Sequence, residues 1–226
     1  MSRTETWTIL PVKSLAHVKQ RLSGVLPLEA RRRLVLTMLQ DVLSVLQRTR
    51  VCHPVLVVTP DAEVADIAGY YGADVLREHE GRSHTAAAAT GFAYAHAQGA
   101  ARALTIPADV PLVTRAEIEA VIAAAVEQSG RALTIAPSRD GDGTHALLVT
   151  PADAFMPSFG PGSFRRHLGQ AEARGLACRV LRLTGLGMDT DEPADLARLI
   201  EAKADDARYA FLGAYRAHLN EMMERA

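Results

Sequence analysis

Apolar and polar positions along this chain follow two alternating rhythms. Short apolar runs fall at 7–12, 55–59, 102–106, 131–136, 144–150 and 177–183, and each reads as a strand. Between them lie stretches with helical spacing, near 28–48, 61–71, 84–99, 114–128, 162–174 and 192–203. Strands separated by helices of this length need crossover connections. The pattern therefore predicts an α/β fold with a twisted, mostly parallel sheet covered on both faces.

The first long helix carries the clearest stripe. Leu36, Leu39, Leu43 and Leu46 form one apolar line, widened by Val35, Met38, Val42 and Val45. Arg31, Arg32 and Arg33 crowd its first turns, where the helix dipole disfavours cations, and read as a solvated face. Helix starts are marked by Thr59-Pro60-Asp61, by Thr114 three residues before Glu117, and by Asp191-Glu192-Pro193, where Asp191 is the candidate cap. Residues 1–204 read as one domain. The tail, 205–226, reads as a further helix with Phe211, Tyr215, Leu219 and Met222 on one face, docked on that domain or forming a homodimer contact.

Composition narrows the class. Of 226 residues, 48% are apolar and 23% charged, enough for one sizeable core, and the formal charge of −1 gives no global field to gather nucleic acid. Cys52 and Cys178 are isolated, without metal-ligand spacing, and read as buried, reduced thiols in strands. No apolar run is long enough to span a membrane, and the polar first residues do not resemble a signal peptide, so a cytoplasmic enzyme is expected.

The chemistry concentrates at predicted strand ends, where open α/β sheets collect ligands. Pro11-Val12-Lys13 follows the first strand, and Lys19 and Arg21 come six and two residues later. Flexible ammonium and forked guanidinium groups in such a cluster suit a polyphosphate. No Walker A or Gly-x-Gly-x-x-Gly pattern follows the strand, which disfavours a P-loop NTPase or dinucleotide binding. Asp109, Asp189 and Asp191 could hold a magnesium ion, which takes one or two carboxylates together with phosphate and water oxygens. Gly141 and Gly143 permit either an anion-holding loop or a plain hairpin turn before Thr144 and His145. Gly160-Pro161-Gly162-Ser163 opens a helix whose free N–H groups could bind a second anion. The eight histidines, His53, His96 and His167 among them, show no zinc spacing and no Ser/His/Asp arrangement.

Taken together, Pro-Val-Lys-x-Leu-Ala-x-x-Lys-x-Arg-Leu (11–22), Pro-Ala-Asp-Val-Pro-Leu (107–112), Ala-Pro-Ser-Arg-Asp-Gly-Asp-Gly-Thr (136–144), Ser-Phe-Gly-Pro-Gly-Ser-Phe (158–164) and Asp-Thr-Asp-Glu-Pro-x-Asp-Leu (189–196) resemble the phospholactate or phosphoenolpyruvate guanylyltransferases of coenzyme F-420 biosynthesis. The resemblance implies a Rossmann-like, three-layer nucleotidyltransferase domain of GT-A type. Its implied reaction joins GMP from GTP to a small phosphorylated acid (phosphoenolpyruvate, 2-phospholactate or phosphoglycerate) and releases pyrophosphate. Carried onto matching positions, Lys13, Lys19, Arg21 and Asp109 would be catalytic, and Pro11, Val12, Pro60 and His84 would join them around the nucleotide. Thr144, His145, Gly160 and Ser163 would bind the acceptor, and Asp109, Asp189 and Asp191 would hold Mg²⁺. Two departures stand out: Arg82-Ser83-His84 replaces an expected Gly-Leu-Asn, and Gly143-Thr144-His145 an expected Gly-Thr-Asn. A cytidylyl- or molybdopterin guanylyltransferase of the same fold, or a catalytically silent nucleotide binder, are the alternatives these substitutions raise.

Overall fold

The computed structural model describes residues 5–79 and 83–224. Seven strands form one sheet: β1 (Thr6–Pro11), β2 (Val55–Thr59), β3 (Asp74–Arg77), β4 (Arg102–Thr105), β5 (Ala132–Pro137), β6 (Thr144–Thr150) and β7 (Ala177–Val180). Their spatial order is β3-β2-β1-β4-β6-β5-β7. All neighbours run parallel except β6, which is antiparallel to both β4 and β5. Seven α-helices accompany the sheet among the described residues: α1 (Leu28–Gln47), α2 (Ala62–Tyr70), α3 (His84–Ala97), α4 (Arg115–Val126), α5 (Ser163–Ala173), α6 (Pro193–Ala202) and α7 (Arg216–Glu224).

Strand alternation divides the core in two. Leu10 and Val57 face a cluster built with α1, α4 and α6, whereas Trp7, Ile9 and Val58 face one built with α3 and α5. The leucine stripe of α1 fills the first cluster: Leu39, Leu43 and Leu46 are buried. Against the second, α3 approaches β1 so closely that a Cβ on Gly91 would lie 2.5 Å from Ile9 Cγ2. These are the three layers expected for the fold.

Several expectations change in the folded chain. The short strand β3 was not signalled by periodicity, because it is an edge strand of four half-exposed or exposed residues with no apolar alternation. Cys52 is buried but lies in a 3₁₀ turn (Arg50–Cys52), and Cys178 is exposed because its strand β7 forms the opposite sheet edge. The arginine run on α1 is not a uniform solvated face. Arg31 is buried and donates to Val18 O at 2.7 Å, Arg32 pairs with Glu63 at 3.0 Å, and Arg33 stacks over the Phe211 ring at 4.2 Å. Asp191 does not cap α6. Glu192 does, in a capping box with Asp195.

The tail is a long 3₁₀ segment (Ala207–Tyr215) followed by α7 rather than one helix. Phe211, Tyr215, Leu219 and Met222 all pack against the core cluster that contains α1. A buried carboxylate holds it there: Asp41 of α1 accepts from Lys203 Nζ at 2.7 Å and Tyr209 Oη at 2.9 Å, and also pairs with Arg208. Burial first, and then the Asp41 charge, push the Tyr209 phenol far up, so it remains a donor. Asp41→Ala should cost about 2 kcal/mol, less than a fully buried broken pair because Lys203 and Arg208 can rehydrate. Thermal unfolding should then show a midpoint lower by roughly 4–8 °C.

Candidate active site

Chain order reverses around β1, which has β2 on one side and β4 on the other. The crevice beyond the carboxyl ends of β1 and β4 is thus the topological switch point, where α/β sheets bind ligands. The loop after β1 is fixed on both sides. Val12 N–H donates to Val58 O at 2.9 Å, Leu15 N–H to Asp61 Oδ2 at 3.0 Å, and Arg31 reaches Val18 O. Asp61 uses its other oxygen to cap α2 through Glu63 N–H and Val64 N–H. So held, the loop turns through Lys19, whose φ of 48° places a non-glycine residue in the left-handed region.

That turn aims Lys19 inward. Its Nζ lies 2.6 Å from Asp109 Oδ2 and 2.6 Å from Asp191 Oδ1, with the side chain only 6% exposed. Burial disfavours the charged amine, but the two carboxylates outweigh it and raise the Lys19 pKa. Asp109 shows the mirror effect: burial would raise its pKa, and the Lys19 ammonium lowers it. Lys19 and Asp109 therefore stabilise each other's charged forms. Arg21 lies outside it, exposed and 3.1 Å from Glu192.

Two lobes open from this point. One, of about 830 Å³, is lined by Pro11, Val12, Lys13, Lys19, Arg21, Pro60, His84 and Asp109. The other, of about 550 Å³, is lined by Thr144, His145, Gly160, Ser163, Asp189 and Asp191. Arg21, His84, Pro107, Asp109 and Asp191 border both. Every candidate site residue named from the sequence thus lines one continuous cleft. His84 opens α3 and meets the Phe159 ring edge-on at 4.9 Å. Burial is the main reason its pKa falls to about 4, so it stands neutral beside the charges. Arg82 lies outside the described residues.

The aspartates do not gather as one ligand set. Asp191 shares Lys19 with Asp109, whereas Asp189 lies 3.6 Å from His145 Nε2. Among the described residues, no three His, Cys, Asp or Glu side chains form a metal-binding group. The segment bearing Asp189 and Asp191 is anchored by its preceding turn. Glu117 Oε1 accepts from Gly185 N–H at 2.7 Å, Leu186 O bonds His145 Nδ1 at 3.0 Å, and Arg139 N–H donates to Gly187 O at 2.9 Å. Burial opposes charge on His145, but Asp189 more than offsets it and raises the pKa.

The glycine-rich loops prove to be folded on themselves. Residues 138–143 form the β5–β6 hairpin turn, in which Gly143 N–H donates to Ser138 Oγ at 2.7 Å and Asp142 N–H to Asp140 Oδ1 at 3.0 Å. The first amides of α5 are also occupied. Gly162 N–H donates to Asp142 Oδ2 at 2.8 Å, Ser163 N–H to Gly160 O, and Phe164 N–H to Asp142 O. An anion in this lobe therefore meets hydroxyl groups in place of a free helix N-terminus. Behind them lies a residue not singled out from the sequence: His167, fully buried, with Nδ1 3.0 Å from Thr144 Oγ1. Its spacing of four from Ser163 on a helix was the available signal.

Residues 6–222 match the model of the guanylyl transferase CofC-like family. A phosphoenolpyruvate guanylyltransferase of Sphaerobacter thermophilus is 41% identical over 86% of this chain and 92% of its own length. A 2-phospho-L-lactate guanylyltransferase of Methanothermobacter thermautotrophicus is 30% identical over 87% and 84%. Among solved structures, a nucleotidyl transferase from the same Methanothermobacter species superposes with a TM-score of 0.61 at 16% identity, over 88% of this chain and 97% of that one. The structural likeness speaks for the fold alone, and on the family-model match and the sequence likeness the chain belongs to the guanylyl transferase CofC-like family.

Proposed function

We propose that this protein transfers GMP from GTP to the phosphate of a small phosphorylated acid, in coenzyme F-420 biosynthesis. The observation that carries the reading is the meeting of two lobes at Lys19, Asp109 and Asp191. One lobe is walled by cations and strand-end backbone, as a nucleoside triphosphate requires, and the other offers hydroxyl groups to a smaller anion.

In this reaction an oxygen of the acid's phosphate forms a bond to the α-phosphorus of GTP, and the bond to pyrophosphate breaks. The attacking oxygen is already anionic, so no general base is needed. The barrier lies in bringing two anions together, which positioned cations lower. Lys13 and Arg21 bind and orient the triphosphate. Lys19 keeps a fixed positive charge at the boundary between the lobes and holds Asp109 and Asp191 in place. Thr144 and Ser163 orient the acid, and His145 fixes the Asp189 segment through Leu186 O.

The donor chemistry fits Mg²⁺. Two carboxylates converge on one cationic point through a single oxygen each, and paired hard oxygens supplemented by phosphate are what that ion takes. Asp109 and Asp191 would hold it, whereas Asp189 faces His145, and when bound it would supply charge neutralisation of the transferring phosphoryl group.

Three measurements test the reading. Pyrophosphate release across four nucleoside triphosphates and three phosphorylated acids should be confined to GTP with one acid. Release with another base would transfer the reading to a relative of different specificity, and silence throughout would overturn it. Chelation with EDTA should abolish release, and added Mg²⁺ should restore it. Lys19→Ala and Asp109→Asn should each lower turnover by about 10²-fold or more, the scale of removing one preorganised electrostatic group. Unchanged turnover in either would remove that residue from the site.

A further inference from the structure

The hydroxyl of Thr144 borders the acceptor lobe, but a hydroxyl is ambivalent: it can donate or accept, and only a donor recognises an anion. What decides its direction lies behind the cleft wall. The Nε2 atom of His167 receives the backbone N–H of Ser158 at 2.8 Å. An amide can only donate, so Nε2 must present its lone pair, and the neutral ring must carry its proton on Nδ1. That proton points at Thr144 Oγ1, 3.0 Å away. Thr144 therefore accepts from His167, and also from Ser163 Oγ at 3.4 Å, so its own proton is left for the cleft.

We infer that His167 is a positioning residue: through its Nδ1–H it fixes the Thr144 hydroxyl as a donor directed at the anionic group of the acceptor acid. The inference rests on the proposed acceptor site and adds a residue that does not itself touch the cleft.

The surroundings hold the ring to this task. His167 is fully buried, and the Phe155 and Phe159 rings meet it edge-on at 5.6 and 5.3 Å, which prevents a ring flip without repacking. Burial, and then the nearby Arg166 charge, bring its pKa down to about 4, so it stays neutral near pH 7. The same ring serves the other side of the lobe. By accepting from Ser158 it fixes the start of the turn that carries Gly160, while Phe159 N–H donates to Thr85 Oγ1 at 2.9 Å on α3. The folding of the α5 amides onto Asp142 and Gly160 leaves the hydroxyls, beside the Arg21 and Arg139 side chains, as the donors that line this lobe.

Two readouts test this. In the full-length protein with ¹⁵N-labelled histidine at pH 7, the His167 resonances (assigned by their loss in His167→Asn) should report the Nδ1–H tautomer. An Nε2–H or doubly protonated ring would overturn the inference. In turnover assays, His167→Phe should raise KM for the phosphorylated acid about tenfold, with KM for GTP within twofold of wild type. Thr144→Val should do the same, and the double variant should be no worse than Thr144→Val alone, since both remove one coupled interaction. His167→Asn, whose amide can donate from near the Nδ1 position, should recover most of the affinity, whereas His167→Gln should not. Additive losses, or equal rises in both KM values, would assign His167 a merely structural role and overturn the inference. If the wild-type protein turned over no acid at all, the functional reading would fail by itself. The tautomer measurement would then decide the positioning on its own.

Discussion

The site depends on one buried charge. Lys19 is 90 residues from Asp109 and 172 from Asp191 in sequence, yet its ammonium bonds both at 2.6 Å. It thereby joins the loop after β1, the loop after β4 and the segment before α6. Taking an ammonium out of water is expensive and is tolerated only with close, hydrogen-bonded counter-charges. The carboxylates are less dependent on the pairing, because their side chains are 28% and 44% exposed. The three loops are therefore held as a unit, and the left-handed turn at Lys19 is the local strain that this arrangement sustains.

Around that unit, polar groups are consumed by the scaffold before any ligand arrives. Asp61 satisfies α2 and the β1 loop, Glu117 satisfies α4 and the turn at Gly185, and Asp142 satisfies the start of α5. Such double duty makes the cleft wall rigid, and the donors left are lysines in one lobe, the Thr144 and Ser163 hydroxyls with Arg139 in the other, and Arg21 between them. The division matches the chemistry of joining a triphosphate to a smaller anion, which needs fixed positive charge at one end and directional donors at the other. The two histidines that depart from the family pattern have different surroundings. His84 is kept neutral by burial between the lobes, while His145 ties Leu186 and faces Asp189.

Local pattern made much of the fold legible. The α1 stripe, the Thr114–Glu117 capping box and the Pro193 helix start all hold in the structure, because each is decided within one or two turns of chain. The strand β3 was invisible for a related reason: an edge strand has no buried face to impose an apolar alternation. The exposed Cys178 and the buried Arg31 were misjudged because their surroundings come from distant segments, namely a sheet edge and the Val18 carbonyl.

The amino-acid sequence by itself determined which residues line the cleft, because strand ends, turn glycines and charged residues are ordered along the chain and the α/β topology gathers strand ends on one edge. Only the tertiary structure decided what each of them does there. It paired Lys19 with two carboxylates, turned the glycine loops' amides inward, separated Asp189 from Asp109, and set His167 behind Thr144. Hydrogen bonds and ion pairs act over about 3 Å. Which groups come that close is settled by how β1, β4 and α5 pack, which no local stretch of sequence encodes.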